Sequence, residues 1–207
     1  RYFDRITRPE QIISSLQQAL QVMLDPADCG PACISLSQDV QGETYDYPEE
    51  FFKEQIHTIR RAKPDDFQIK EAVELIKKSK KPIIISGGGV FYSDATDELS
   101  AFAIKHNIPV TQTVMGYSTM KKDHSHYLGV IGGLGGRAAN NLSKETDTAI
   151  AIGTKLADFT TGSWANFENP NFKLVSINAA RFDANKHMAQ AIVGDAKVSL
   201  MELSQAL

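Results

Sequence analysis

After Pro64 the chain alternates short, apolar, strand-like runs with amphipathic helical patterns, and it does so six times before the last residue, Leu207. Continuous apolar runs are typical of strands buried on both faces, and short connections through helices favour parallel pairing. The sequence therefore predicts an α/β fold for residues 65–207, a three-layer domain with a six-stranded, mostly parallel sheet. The strand-like runs are PIIIS, IPVTQT, YLGVIGG, TAIAIG, KLVSIN and AIVGD.

Three helices of this region have apolar spacings regular enough to predict which residues face the sheet. Asp65 or Asp66 is predicted to cap the first helix, and Asn107 to end the second one ahead of Pro109. The residues predicted to face inward are Ile69, Ala72, Val73 and Ile76 in the first helix, Leu99, Phe102 and Ala103 in the second, and Val198, Met201 and Leu207 in the last.

The first 64 residues lack this regularity. Thr7 and Glu10 have the spacing of a capping box, and apolar residues then recur at helical spacing. A short strand-like run, ACISL, follows a Gly-Pro turn. Because one helix and one strand cannot bury both faces of the strand, we expect residues 1–40 to be the last helix and strand of a truncated domain. Residues 41–64 are predicted to be a polar linker.

Charge and cysteine content exclude several classes of partner. The net charge of −3 provides no basic surface for nucleic acid, and no apolar run approaches the roughly 20 residues of a membrane span. The two cysteines, Cys29 and Cys33, are too few for a disulfide framework or a zinc site. We therefore expect reduced thiols in a cytoplasmic protein that binds neither nucleic acid nor a membrane.

A glycine triplet, residues 87–89, follows the first strand-like run, where a phosphate-binding turn would stand. The dinucleotide fingerprint requires a third glycine at the position of Tyr92, and no acidic residue ends the next strand to hold a ribose. Two interpretations stay open: a permissive turn, or a ligand contact outside the fingerprint that would involve Gly88.

Two further strand ends carry glycines and polar residues. Gly133 precedes a predicted helix that begins near Arg137, and backbone N–H groups at such a helix start can hold an anion. Gly153 and Thr154 leave the fourth strand through a polar loop, and Asn178 ends the fifth. Since ligands of open α/β sheets bind beyond the carboxyl ends of strands, these residues could share one crevice, although tight turns alone would also explain the glycines. The candidate cofactor-binding residues are Gly88, Gly133, Arg137, Gly153, Thr154 and Asn178.

Histidines and carboxylates indicate no catalytic centre. Asp123, His124 and His126 lie in one predicted loop, and no third metal ligand is placed by spacing. No Ser-His-Asp order or nucleophile elbow occurs. We predict neither a catalytic residue nor a metal site in this chain.

A family resemblance extends over nearly the whole chain. The stretches GPACISLSQDVQ, KPIIISGGG, NIPVTQTVMG, LGVIGGLGG, AIAIGTKLADFTTG, KLVSINAARFDANKH and VGDAKVSL occur in this order. The chain thereby resembles thiamine-diphosphate-dependent enzymes of the acetolactate synthase and pyruvate decarboxylase superfamily. The resemblance implies that residues 1–40 end a pyrimidine-binding domain and that residues 65–207 form a Rossmann-like central domain. QDVQGETYDYP, DFTTGSW and INAARFDANKH are most similar to the branch that hydrolyses a carbon–carbon bond of a cyclic trihydroxy-1,2-dione in myo-inositol catabolism.

This resemblance implies a division of labour. Thiamine diphosphate and Mg²⁺ would be held by the pyrimidine- and pyrophosphate-binding domains, which are the implied partners, within a homo-oligomer. The chain itself would be a structural, non-catalytic central domain. The alternative is a central domain that binds FAD or ADP, as some relatives do. Their fifth strand often ends in an acidic pair of the type I-D-I-D, whereas this chain reads Ser176-Ile177-Asn178-Ala179 and lacks the carboxylates, which argues against that alternative.

Overall fold

The computed structural model describes residues 1–207 and divides into two compact units, Arg1–Arg60 and Arg61–Leu207. Unit 1 (Arg1–Arg60) contains β1 (Tyr2–Ile6), α1 (Gln11–Leu24) and β2 (Ala32–Leu36), and the two strands pair in parallel. The expectation of one helix and one strand was therefore wrong, because β1 precedes the helix. Nothing near β1 in sequence indicates it, since its partner lies about thirty residues away.

The start of α1 also differs from the predicted capping box. The helix begins at Gln11, and it is the side chain of Gln11 that accepts hydrogen bonds from the Thr7 and Arg8 amides, at 2.7 and 3.0 Å. Ser15 and Ala19 are buried against the strands. Ser15 Oγ donates to Asp4, and this bond is the main cause of a lowered Asp4 pKa.

The rest of unit 1 is irregular and aromatic. Two single 3-10 turns, Val40–Gly42 and Glu49–Phe52, are its only regular structure. Tyr47 stacks on Phe51 at 5.5 Å between ring centroids, and its hydroxyl donates to the Pro9 carbonyl. The assignment of residues 1–40 to a pyrimidine-binding domain stays a prediction.

Unit 2 (Arg61–Leu207) confirms the predicted fold class, and its six strands are all parallel. The sheet order is β5-β4-β3-β6-β7-β8. The strands are β3 (Pro82–Ser86), β4 (Val110–Gln112), β5 (Tyr127–Val130), β6 (Thr148–Ile152), β7 (Lys173–Asn178) and β8 (Gln190–Val193). The helices are α2 (Asp66–Lys78), α3 (Gly88–Tyr92), α4 (Thr96–His106), α5 (Arg137–Glu145), α6 (Asp158–Thr161), α7 (Arg181–Ala184) and α8 (Ala196–Ala206).

Two apolar cores cover the two faces of this sheet. Successive strand residues point to opposite faces, so Ile84 and Ile150 enter a core with α2, α4 and α8, while Ile83 and Ile85 enter a second one. The second core is completed by the segment after β6, through Leu156 and the partly buried Trp164, Phe167 and Phe172. No helix in the protein has both the length and the apolar character needed to cross a membrane.

The predicted inward faces of α2 and α4 are confirmed, and that of α8 is wrong in part. Asp65 caps α2, and Asn107 ends α4 in the left-handed conformation, with φ +51°. In α8 the buried side chains are those of Ala196, Ser199, Leu200 and Leu203, whereas Met201 is 48% exposed. The buried face of α8 therefore differs from the predicted one. It includes the polar residue Ser199, and a prediction made from the spacing of apolar residues cannot place a serine in the core.

The first residues of unit 2 are bonded to Asp195, the residue that caps the start of α8. Arg61, which the sequence assigns to the linker, contacts Asp195 with 3.0 Å between Nη1 and Oδ2. The Asp195 amide donates to the Ala62 carbonyl at 2.9 Å, and its carboxylate caps α8 by accepting from the Lys197 amide. One buried carboxylate thus secures both a helix start and the incoming chain.

A second carboxylate closes the amino end of the sheet, and the residues around it are here named the Asp147 clasp. Asp147 precedes β6 and accepts hydrogen bonds from the Ser79 hydroxyl and from the amides of Lys80, at 2.8 Å, and Lys81, at 3.2 Å. Burial acts to raise the Asp147 pKa, but these hydrogen bonds outweigh it and hold the pKa below its usual value. The clasp joins the end of α2 to β3 and β6.

Candidate functional site

The candidate site lies at the carboxyl ends of the strands, where the sheet order reverses. The chain first builds β3, β4 and β5 in one direction, then returns to place β6 beside β3 and continues outward to β8. In open α/β sheets this switch point is where a crevice forms and ligands bind. Here it lies between Ser86, which ends β3, and Ile152, which ends β6.

At the switch point the two chain segments are in direct backbone contact, a feature we call the glycine crossing (Gly87–Gly89 against Gly153). The Gly87 amide donates to the Ile152 carbonyl at 2.8 Å, and the Gly89 amide to the Gly153 carbonyl at 2.9 Å. A Cβ on Gly87 would lie 2.3 Å from the Gly153 oxygen, and one on Gly89 would lie 2.5 Å from the Gly153 Cα. The glycines therefore let two main chains cross, which requires the absence of side chains.

Four of the predicted site residues gather around this crossing. Gly88 begins the five-residue helix α3, and Gly153 has φ +60°. Asn178 Nδ2 donates to the Thr154 carbonyl at 3.3 Å, and the Thr154 hydroxyl accepts from the amide of Leu156 at 3.2 Å. Their polar groups therefore hold the loops after β6 and β7 together. Their predicted role in cofactor binding stays a prediction.

The other two predicted residues, Gly133 and Arg137, lie apart from these at the end of β5. The Gly133 amide donates to the Phe159 carbonyl at 2.9 Å, so α6 packs on the glycine loop. Asn140 bonds both the amide and the carbonyl of Gly132, at 3.0 and 3.1 Å. Arg137 is exposed at the first position of α5 and makes no ion pair. The six residues thus make their contacts in two groups, four at the glycine crossing and two at the end of β5.

An ion cluster that the sequence analysis missed lies next to the first group. Asp183, in α7, has a side chain only 11% exposed, and its carboxylate oxygens lie 2.5 Å from Lys186 Nζ and 3.9 Å from Lys155 Nζ. The Lys155 contact connects the loop after β6 to α7. The sequence does not indicate the contact between Lys155 and Asp183, because only the pairing of β6 with β7 brings the two residues close together.

A cavity of about 250 Å³ opens at the end of β4, the strand next to β3. Gln112, the last residue of β4, is 1% exposed and lines it. A glutamine at the end of a fully buried strand is the one sequence signal that could have indicated this cavity. The other lining residues are Tyr117, Ser118, Met120, Lys121, Lys122 and Asp123.

The histidines of the predicted loop are held by hydrogen bonds within the protein. His124 shares one with the Ser100 hydroxyl at 2.9 Å, and His126 one with the Asn107 side chain at 3.1 Å. No group of three or more His, Cys, Asp or Glu side chains is arranged to hold a metal ion. The residues of this chain therefore do not fit a Mg²⁺ site.

Comparisons with a family model and with curated proteins agree on the family of this chain. Residues 69–203 match the family model of the thiamine pyrophosphate enzyme central domain. The chain is 46% identical over 207 residues to a 3D-(3,5/4)-trihydroxycyclohexane-1,2-dione hydrolase of Clostridium perfringens strain 13. It is 48% identical over 203 residues to the protein of that name in Bacillus subtilis strain 168. These matches cover 100% and 98% of this chain, but the chain spans only 32% of each relative's length.

Solved structures with low sequence identity share the fold. A thiamin diphosphate-dependent enzyme from Mycobacterium smegmatis aligns over 100% of this chain and 39% of its own, with TM-score 0.78 and 19% identity. Benzoylformate decarboxylase from Polynucleobacter necessarius aligns over 99% of this chain and 38% of its own, with TM-score 0.74 and 20% identity. At such identities the agreement concerns the fold alone.

Proposed function

Because this chain belongs to the thiamine pyrophosphate enzymes and carries their central domain, we propose that it is the central part of a trihydroxycyclohexanedione hydrolase. That enzyme would cleave a carbon–carbon bond of a cyclic trihydroxy-1,2-dione in myo-inositol catabolism. The observation that carries this proposal is the 46–48% identity to hydrolases of that name, which extends over essentially the entire chain. Unit 2 would then support the catalytic parts of the enzyme rather than perform chemistry.

The absence of fitting residues supports a non-catalytic role for this chain. Thiamine diphosphate requires a bound divalent cation for its diphosphate, and the chain arranges no cluster of ligands for one. The polar groups at the switch point are engaged in loop-to-loop hydrogen bonds. We therefore assign the binding of thiamine diphosphate and Mg²⁺ to the rest of the full-length enzyme.

Two backbone amides at the switch point argue against a bound pyrophosphate of FAD or ADP. A pyrophosphate at this point needs free backbone N–H groups, but those of Gly87 and Gly89 are donated to the end of β6. A ribose needs a carboxylate at a strand end, where Asn178 instead bonds Thr154. We expect saturating FAD, ADP or NAD to leave the melting temperature unchanged, and a rise would favour the nucleotide-binding alternative.

A domain exchange tests the proposed function in a working enzyme. This chain replaces the matching segment of the Clostridium perfringens hydrolase, and thiamine-dependent dione hydrolysis is measured. The segment from the Bacillus subtilis hydrolase serves as the positive control, and that from benzoylformate decarboxylase as the fold-matched negative control. We expect the first two chimeras to have kcat/KM values within about tenfold of each other. A folded but inactive chimera beside an active Bacillus control would overturn the proposal.

Location and assembly complete the proposal. We propose a cytoplasmic homo-oligomer, and the exposed, unpaired thiols of Cys29 and Cys33 support a reducing compartment. Light scattering of the full-length enzyme measures the assembly, and a monomer at micromolar concentration would contradict it.

A further inference from the structure

The floor of the β4 cavity is a buried amide with a free acceptor. Gln112 Nε2 donates to the Met120 carbonyl at 3.0 Å and to the Thr119 hydroxyl at 3.2 Å, and this fixes which side of the amide carries nitrogen. Thr119 is itself held, because its hydroxyl donates to the Gly116 carbonyl and contacts Ser86 Oγ at 2.7 Å. No protein group donates to Gln112 Oε1, in a residue that is 99% buried and lines the cavity. Gln112 Oε1 is not sealed off from the cavity, so a group inside the cavity can donate a hydrogen bond to it.

The rim of the cavity is cationic on one side. Lys121 and Lys122 both line it, and Lys122 Nζ lies 5.4 Å from the centroid of the Tyr117 ring. This cation–π contact restrains the ammonium at the rim, and the Tyr117 side chain raises the pKa of Lys122 above its usual value. The two lysines give this side of the rim two positive charges, which would attract an anionic group of a ligand.

The rim also carries a carboxylate, that of Asp123. Asp123 makes no hydrogen bond or ion pair within the protein and so can accept from ligand hydroxyls. It repels a second negative charge, which disfavours phosphates and dicarboxylates. The cavity volume is slightly below the roughly 300–1,000 Å³ usual for small-molecule sites, which limits the ligand to a small metabolite.

From these features we propose that the β4 cavity binds a small polyhydroxylated monocarboxylate. Its hydroxyls donate to Gln112 Oε1 and Asp123, and its carboxylate contacts Lys121 and Lys122. This inference is argued from the side chains of the cavity alone and does not rest on the proposed function, although Gln112 lies within the region that matches the family model.

The test uses the 207-residue chain and D-gluconate as the probe, with myo-inositol and inorganic phosphate as comparisons. Two-dimensional ¹H–¹⁵N NMR follows the side-chain amide of Gln112 during titration. We expect D-gluconate to shift this resonance saturably and to bind at least tenfold more tightly than myo-inositol, which lacks the carboxylate, or phosphate, which lacks the hydroxyl donors. An absence of any saturable shift with D-gluconate would overturn the proposal.

Two variants locate the site. The rim variant Lys121→Ala/Lys122→Ala changes exposed residues and is expected to weaken D-gluconate binding at least tenfold. Its matched control, Lys80→Ala/Lys173→Ala, removes two exposed lysines with no side-chain partner at the opposite end of the sheet, and should bind as the parent chain does. Gln112→Met removes the Oε1 acceptor and should likewise weaken D-gluconate binding. If Gln112→Met does not fold, the rim variant alone decides the outcome. Equal binding by the rim variant and its control would show that the ligand binds elsewhere.

Discussion

Replacing Asp147 by alanine tests how much the Asp147 clasp contributes to the stability of unit 2. The substitution removes the acceptor for two backbone amides, those of Lys80 and Lys81, and for the hydroxyl of Ser79. The loop from Ser79 to Lys81 cannot turn these groups elsewhere without separating α2 from β3. The predicted effect is therefore a loss of folding stability rather than a change in the fold.

The magnitude follows from the three hydrogen bonds. A hydrogen bond to a charged group contributes about 1.5–3 kcal/mol, and a stranded buried donor costs about 1–3 kcal/mol. Lys80 and Lys81 are exposed, so water partly satisfies their amides and the lower end of each range applies. The relevant quantity is the cost of the donors left without an acceptor, and at about 1 kcal/mol for each of the three donors the loss for Asp147→Ala is about 3 kcal/mol. Asp147→Asn keeps one acceptor oxygen without the charge and should cost about half as much.

The assay is urea unfolding followed by circular dichroism, with thermal melts alongside. Asp147→Ala should lower the midpoint without changing the slope, because the surface exposed on unfolding is the same. The melting temperature should fall by about 6–12 °C for a loss of this size. Asp123→Ala is the matched control, since that carboxylate has no partner in the protein, and should stay within about 0.5 kcal/mol of the parent.

The pH dependence gives an independent check. The folded Asp147 pKa lies below the unfolded value of about 3.9, so its contribution is fully present above pH 3.9 and is lost as the pH falls through the folded pKa. The stability difference between the parent chain and Asp147→Asn should therefore shrink on acidification below about pH 4. Equal stabilities of Asp147→Ala and Asp123→Ala at pH 7 would refute the assigned role, as would a difference that does not shrink in acid.

Three further predictions concern unit 2. Gly153→Ala should lower the free energy of unfolding by more than about 2 kcal/mol, because φ is +60° and the new Cβ would lie 2.5 Å from the Cα of Gly89. Its control, Gly136→Ala, has open space around the new Cβ and should cost under about 1 kcal/mol in the same urea assay. Leu200→Ala, at a fully buried position, should cost about 2–5 kcal/mol, and Met201→Ala on the same helix under about 1 kcal/mol; similar losses would contradict the observed face of α8. Burial, with a smaller effect from the neighbouring Lys105, lowers the pKa of His106. The folding stability should therefore fall as the pH drops from the unfolded value of about 6.5 through the folded pKa. His106→Gln should flatten this pH dependence of the stability between about pH 7 and pH 5.

The sheet of unit 2 could be predicted because its strands are continuous apolar runs, a local signal. The end of α4 at Asn107 was predictable for the same reason, since a left-handed residue before a proline is a local feature. The face of α8 was not, because Ser199 occupies a core position that only packing against the sheet assigns. Strand β1 was missed because its pairing with Ala32–Leu36 is distant in sequence and YFDRI carries two charges.

The candidate site was predictable in position but not in the contacts it makes. Glycines at strand ends indicated where the switch point lies, since parallel strands end at the same edge of a sheet. Whether those glycines face a ligand or another main chain depends on the distance between the ends of β3 and β6. That distance is set by the pairing of two strands more than sixty residues apart, which no local pattern contains. The Gln112 cavity likewise depends on the loop that returns to Thr119.

The glycine crossing also constrains how this domain can evolve. Gly89 and Gly153 approach so closely that a methyl group on either one would collide with the main chain of the other. A substitution at either glycine is therefore deleterious whatever residue stands at the other position. The two glycines cannot be replaced one after the other, in either order, unless the ends of β3 and β6 first move apart. A lineage that acquires a nucleotide here must first move the two strand ends apart, so the spacing between them should change before the ligand-binding residues do.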